Sequence, residues 1–395
     1  MEYYWNEKNL KEDYKILINK IKNEKDFVKK AKLRLYADEL KKIIELGEVE
    51  AVYPGKRHCM GTTLENIYSN SRYIEIIKKY NNILERQFQK HETSIDEMGS
   101  ELIMVTELHK LKNYSLDECL EIAKEFFGNL DNTFYRNFLK IYNNRYKLIK
   151  ESKEANYEHD GVCTFVGGLN KPYIWIDNVD GLQKVATLIH ELGHATMLLN
   201  YPDRLVNARD SFGTEIESIL FEIIYASEFL DKDNFEKAIL NYEYIENYES
   251  AKYILIQEKI TKNFKGTTID LNKEFYRKLK EKYKITHKEI DYSLYIDAIE
   301  YGQYIISYMI ALEIYNIFQQ DKKEALKILR RFAKEHKNDT YQTINKYIPD
   351  LPNSKKELEN KFKETQKIIR KELKYYLVLY LYVYNLNYVL IQLLK

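Results

Sequence analysis

Two histidines four positions apart, His190 and His194, enclose a glutamate in the run His190-Glu191-Leu192-Gly193-His194. On an α-helix such residues are neighbours on one face, so two imidazoles can grip a single metal ion. Glu191, adjacent to the first histidine, can reach a metal-bound water and act as general base toward a scissile carbonyl. A catalytic zinc takes three protein ligands and keeps a fourth position for water, so a third ligand is expected close by. The sixth residue past His194 is Asn200, so no third histidine extends the pattern there. The run Gly213-Thr214-Glu215-Ile216-Glu217-Ser218-Ile219-Leu220-Phe221-Glu222 supplies the alternative. At about 100° per residue Glu222 returns almost over Glu215, while Glu217 points to the far side. Glu215 is therefore assigned as the third ligand and Glu217 as a solvated residue. Glu222 is either an acceptor that fixes the other nitrogen of a ligand imidazole or a solvated, salt-bridged helix residue.

These groups need two helices and something to hold them. Asp180 offers an N-cap with Gln183 three residues on, and Leu182, Val185 and Ile189 anchor a helix over Leu182–Asn200, ending before Tyr201-Pro202. A second helix is expected over Thr214–Leu230. Before them, Gly161 to Gly168 is rich in β-branched residues and bracketed by glycines, and Tyr173–Asp177 follows Pro172; both read as short strands. The rest is helical in period: Leu10 to about Gly47, Leu64–Lys90, Asp96–Lys112, Ser115–Phe127 opened by a Ser115/Glu118 capping box, Asn132–Lys150, Asn234–Asn263, Asn272–Tyr283, Asp291–Gln319, Lys322–Glu335 and Ser354–Lys374. Glycine and proline number only 13 and 5 in 395 residues, which leaves little turn chemistry and favours long helices. No repeat and no linker divides the chain. The expected organisation is an N-terminal helical region over 1–112, packed as one unit with a catalytic region over 113–374, and an apolar tail over 375–395.

Charge excludes one class of partner. With 62 Lys+Arg against 61 Asp+Glu the chain carries +1, so no global field draws it to nucleic acid. Cys59, Cys119 and Cys163 form no CxxC pair, which argues against a disulfide framework or a thiolate zinc site and fits a reducing compartment. Met1 to Lys8 lacks the basic start and apolar stretch of a secretory signal, so a cytoplasmic location is expected. Tyr375 to Leu394 is long enough to span a bilayer, yet its six tyrosines and two central asparagines favour packing on the core. Of the six other histidines, His58, His91, His109, His159 and His336 show no ligand spacing, and His287 lies just before the expected helix over Asp291–Gln319.

From Ser115 to Glu222 the sequence resembles the M3 family of metallopeptidases, especially its oligoendopeptidase F branch. The likeness lies in Leu116-Asp117-Glu118, Gly161-Val162-Cys163-Thr164, Pro172-Tyr173-Ile174, Thr187 to Ala195 around the histidines, and Phe212-Gly213-Thr214-Glu215. It implies a zincin-like, mainly α metallopeptidase fold with a small β-sheet beside the HExxH helix, and a channel that admits short peptides. It also implies that an edge strand, here Val162–Gly168, holds extended substrate through its backbone. On this reading Val166, Gly167 and Gly168 are substrate-binding, although the two glycines also suit a plain turn before Pro172. A later helix is expected to supply tyrosines for the oxyanion. Here Tyr301 or Tyr304 would take that role, with Tyr295 and Tyr308 lining the substrate, whereas a core stripe is the alternative in a chain of 36 tyrosines. Met197 stands where the family often has a further histidine, and the region before residue 115 is short for the family.

The expected activity is hydrolysis of internal bonds in short peptides, with one zinc held by His190, His194 and Glu215 and with Glu191 as base. The alternatives are a thermolysin-like enzyme acting on larger proteins, and a peptide-binding or scaffolding protein that keeps the metal without turnover. Cleavage preference and oligomeric state are left open.

Overall fold

Lysines and glutamates alternate with Leu10, Leu17, Leu40 and Ile43 at helical spacing, and this pattern builds an amphipathic hairpin of α1 (Glu7–Asn23) and α2 (Phe27–Leu46). Asp26 caps α2 by accepting the Lys29 N–H at 2.9 Å. The computed structural model describes residues 7–46, 75–78, 81–82, 114–152, 161–177, 181–202, 204, 213–229, 251, 255, 277, 294–335 and 340–348. Most of the expected helices over 64–90, 234–263 and 272–283 and all of those over 96–112 and 354–374 lie outside them, as does the tail at 375–395. Among the described residues no helix is long and apolar enough to cross a membrane.

The capping box at Ser115 opens α3 (Leu116–Leu130): Ser115 Oγ accepts the Glu118 N–H, and Glu118 accepts the Ser115 N–H at 2.9 Å. Asp131 ends α3 and caps α4 (Asn132–Tyr142), accepting the N–H groups of Thr133 and Phe134. The sequence suggested that this helix runs on to Lys150, but it stops at Asn143-Asn144. A single turn, α5 (Arg145–Leu148), then leads into a strand, β1 (Ile149–Glu151).

Among the described residues that strand makes the sheet three-stranded, in the order β1-β3-β2, with β2 Gly161–Val166 and β3 Lys171–Ile176. β1 runs parallel to β3, and β2 antiparallel to it with Cys163 opposite Ile174. Pro172 sits in the central strand, yet the pairing with β1 begins only at Ile174, so its missing N–H breaks no ladder on that side. A turn over 167–170 joins β2 to β3, with Asn170 in the left-handed region at φ 55°.

α6 (Gly181–Asn200) is apolar on nearly every side because it is covered all round: β2 and β3 lie on one face, and α3, α4 and α7 (Ile216–Phe229) on the others. α8 (Leu294–Gln320) packs on α7, followed by α9 (Lys322–Lys334) and α10 (Thr340–Tyr347). One apolar cluster runs from Leu10 in the hairpin through the sheet and α6 to Ile348. The fold is thus a helical one with a small mixed sheet beside the histidine helix.

Candidate metal centre

α6 and α7 pack closely against each other at Gly193. A Cβ on Gly193 would lie 3.1 Å from Ser218 Cα and 3.2 Å from Phe221 Cδ2, so only glycine lets the helices meet at this height. Phe221 in turn rests edge-on against Phe134, Phe127 and Phe126, with centroids at 5.1, 5.8 and 6.1 Å. Asn137 of α4 donates to the Thr196 carbonyl at 2.9 Å and fixes the other flank of α6. Lys184, buried on α6, pairs with Glu151 of β1 and ties the helix to the sheet.

This packing brings the three expected ligands together. His190, His194 and Glu215 each offer one ligand atom, all within 4.8 Å of one another. Glu215 Oε2 lies 3.3 Å from His190 Nε2 and 3.0 Å from His194 Nε2, and Ser218 Oγ reaches the same oxygen at 3.2 Å. The opposite ring nitrogens are also engaged. His190 Nδ1 meets Glu222 Oε1, and His194 Nδ1 lies 3.5 Å from Glu217 Oε1. With both Nδ1 atoms facing carboxylates, both Nε2 atoms are left to point at Glu215, the tautomer arrangement that metal-binding histidines use.

Of Glu217 and Glu222 on α7, the sequence left Glu222 between two readings, and it stands beside a ligand ring. Glu217 does not take its expected solvated place. It is 1% exposed and is held by Arg204, itself 4% exposed. Instead of the far side of the helix it meets the second nitrogen of the same His194 ring that Glu215 meets, and Arg204 holds it there.

Electrostatics follow from this crowding. Burial lifts Glu191 to about 6, against the pull of His190 and His194. Burial would lower both histidines, but Glu222 and Glu215 raise His190 well above its ordinary value, and Glu215 with Glu217 raises His194 to about 9. Glu215 resists its burial penalty and is held well below the ordinary carboxylate range by the two rings. Four glutamates therefore surround two imidazoles and one guanidinium, a buried set short of positive charge that a divalent cation suits. Two nitrogen donors and one carboxylate oxygen match zinc.

Two further groups at the centre were not singled out. Gly161, at the start of β2, is so close that a Cβ there would sit 2.7 Å from Thr187 Cγ2 and 3.1 Å from Glu191 Cγ. Cys163, half-buried two residues on, has its thiol raised by burial and by Glu191, Glu217 and Glu215, so it stays protonated. Strand period could have found this pair, since alternate residues share a face.

Other expected residues fall elsewhere. Val166 is fully buried, and Gly167 and Gly168 form the turn after β2. Their glycine character matches close packing on the hairpin: a Cβ on Gly167 would meet Tyr36 Cζ at 2.6 Å, and one on Gly168 would meet Leu17 and Leu33 at 2.8 Å. They stand roughly 20 Å of extended chain from Gly161. Tyr308 is 1% exposed in the core, and Tyr304 is half-buried against it. Tyr295 and Tyr301 belong to α8, but their side chains lie outside the described residues, as do Asp180 and Phe212.

A helical fold with an HExxH helix crossed by a glutamate-bearing helix is the arrangement of zincin-like metallopeptidases. No protein-family profile matches the sequence, and no curated protein does either. Among solved structures the chain shares its fold with one described as an oligoendopeptidase F, at 14% identity and TM-score 0.51, covering 85% of this chain and 64% of that one. A structure from Bacillus anthracis str. Ames, likewise described as an oligoendopeptidase F, also matches, at 11% identity and TM-score 0.47, covering 92% of this chain and 96% of that one. PZ peptidase A matches at 16% identity and TM-score 0.47, covering 64% of this chain and 49% of that one. The chain thus spans about half the length of PZ peptidase A.

Proposed function

We propose that the protein is a zinc-dependent oligoendopeptidase that hydrolyses internal bonds of short peptides. The observation that carries this reading is the convergence of His190, His194 and Glu215 within 4.8 Å, with Glu191 on the next position of the same helix. When bound there, zinc would supply Lewis acidity to a carbonyl and lower the pKa of a water.

The chain's own groups do the rest. Glu191, with its pKa near 6, is mostly ionised at neutral pH and can accept a proton from the attacking water. The same elevation makes it a stronger base than an ordinary carboxylate and lets it carry that proton near neutral pH until the leaving amine takes it. Among the described residues β2 is an edge strand whose beginning lies beside Glu191, so an extended peptide adding to that edge would pass over the base at Gly161. Main-chain pairing of this kind binds many sequences, which fits a peptidase of broad selectivity. Tyr301 or Tyr304 of α8, which packs against α7, is proposed as the oxyanion donor.

The test is cleavage of an internally quenched peptide of several residues, with products identified by mass spectrometry. Cleavage should occur at an internal bond, stop with a chelator and return on adding zinc. Glu191→Gln should lose at least about 1,000-fold in kcat while still binding zinc, because base and electrostatic roles vanish together. A protein that binds zinc stoichiometrically but cleaves nothing across a peptide library would show the enzyme reading to be wrong.

A further inference from the structure

We infer that Arg204 and Glu217 form a buried clamp that orients His194, a pair of positioning residues for one of the two metal-binding imidazoles. The inference rests on the metal reading of His190, His194 and Glu215.

Arg204 lies four residues past the end of α6 and uses both arms of its guanidinium. Nη1 donates to Glu217 Oε1 on α7, and Nη2 donates to the carbonyl of Gly213, two residues before Glu215. One planar group thus joins the end of the histidine helix to the start of the glutamate helix. The fork makes that link rigid where a lysine could not. Glu217 Oε1 then faces His194 Nδ1 at 3.5 Å. An acceptor at Nδ1 keeps the proton there and leaves Nε2 as the lone-pair donor. Among the described residues Glu217 Oε2 accepts no hydrogen bond, so the buried carboxylate depends on Arg204 and His194 for its balance of charge. A carboxylate so placed would be costly if it held only the fold, because a well-packed apolar residue would do so without the desolvation penalty.

The two rings are therefore supported unequally. His190 leans on Glu222, which is 28% exposed at its side chain, whereas His194 leans on a pair that water does not reach. The support for His194 also adds a polar link between the end of α6 and α7.

The experiment compares the full-length wild type with Glu217→Ala, Glu217→Gln and Arg204→Met. Zinc dissociation constants come from competition with a chromogenic chelator, ligand geometry from the visible spectrum of the cobalt(II) form, and fold from the thermal unfolding of the zinc-free proteins. Glu217→Ala should weaken zinc about 10- to 100-fold and alter the cobalt spectrum. Glu217→Gln, whose amide oxygen still accepts from Nδ1, should stay within a few-fold of wild type. Arg204→Met should fall between them. If Glu217→Ala does not fold, Arg204→Met binding zinc more weakly than Glu217→Gln sustains the proposal. Folded variants with wild-type zinc affinity and an unchanged cobalt spectrum would overturn it, whatever their thermal stability. A wild type that binds no zinc overturns the metal reading beneath it as well, and is told apart by that control.

Discussion

At Gly161 a single hydrogen in place of a methyl decides how near the backbone of β2 can come to Glu191. Gly161→Ala would push on Thr187 Cγ2 at 2.7 Å and on Glu191 Cγ at 3.1 Å. The variant should retain zinc affinity but lose about 10- to 100-fold in kcat, since a small misplacement of the base is felt in the rate. Thr187→Ser, which removes the crowded methyl, should restore part of that loss in the double variant; steady-state kinetics beside zinc titration would read both effects. At this scale the His190, His194 and Glu215 cluster was legible in the sequence. The spacing of His190 and His194 and the placing of Glu222 over Glu215 are consequences of helical period alone. Glu217 was not legible for the same reason: the helical wheel says which way it points but not what stands there. What stands there, Arg204 and the second face of His194, is a product of tertiary packing.

Asp131 shows how the elements around the centre are joined. It closes α3, caps α4 and pairs with Arg330 of α9 at 2.7 Å. Partial burial works against its ionisation, yet Arg330 and the Thr133 and Phe134 N–H groups outweigh it and hold the carboxyl below its ordinary value. A carboxyl whose folded pKa is depressed contributes stability above its unfolded pKa and loses it as pH falls through the folded one. Asp131→Ala should therefore cost about 0.5–2 kcal/mol at neutral pH, and the gap from wild type should close in acid below the ordinary carboxylate range. Urea unfolding of both proteins across a pH series measures this. Element types were mostly readable from period and caps, as the Ser115/Glu118 box illustrates. β1 escaped because Tyr146, Leu148 and Ile149 continue an apolar pattern compatible with helix, and only pairing with Ile174 to Ile176 makes the segment a strand.

Over the whole molecule, the N-terminal hairpin is held against the sheet by specific contacts as well as by apolar burial. Lys20 donates to the Gly168 carbonyl at 2.7 Å, and Asp13 accepts from Lys171 at 2.8 Å and from the Tyr173 hydroxyl at 2.6 Å. Gly167→Ala, which would collide with the Tyr36 ring, should destabilise the fold by about 1–3 kcal/mol. Its zinc affinity and its KM for a peptide should remain those of wild type if the turn serves packing, whereas a raised KM with unchanged stability would assign the turn to substrate. The sequence could suggest a glycine turn here but not which surface it met, because Tyr36 and Gly167 are brought together only by the fold.

Asp13 and its two partners also set an order of assembly. They are separated by 158 and 160 positions, so during synthesis the hairpin waits for the strand that completes it. At about 5–20 residues per second that interval is roughly 8–30 s, during which the apolar stripe of α1 and α2 has no sheet to cover it. The nascent hairpin thus keeps that stripe open to other contacts until β3 emerges.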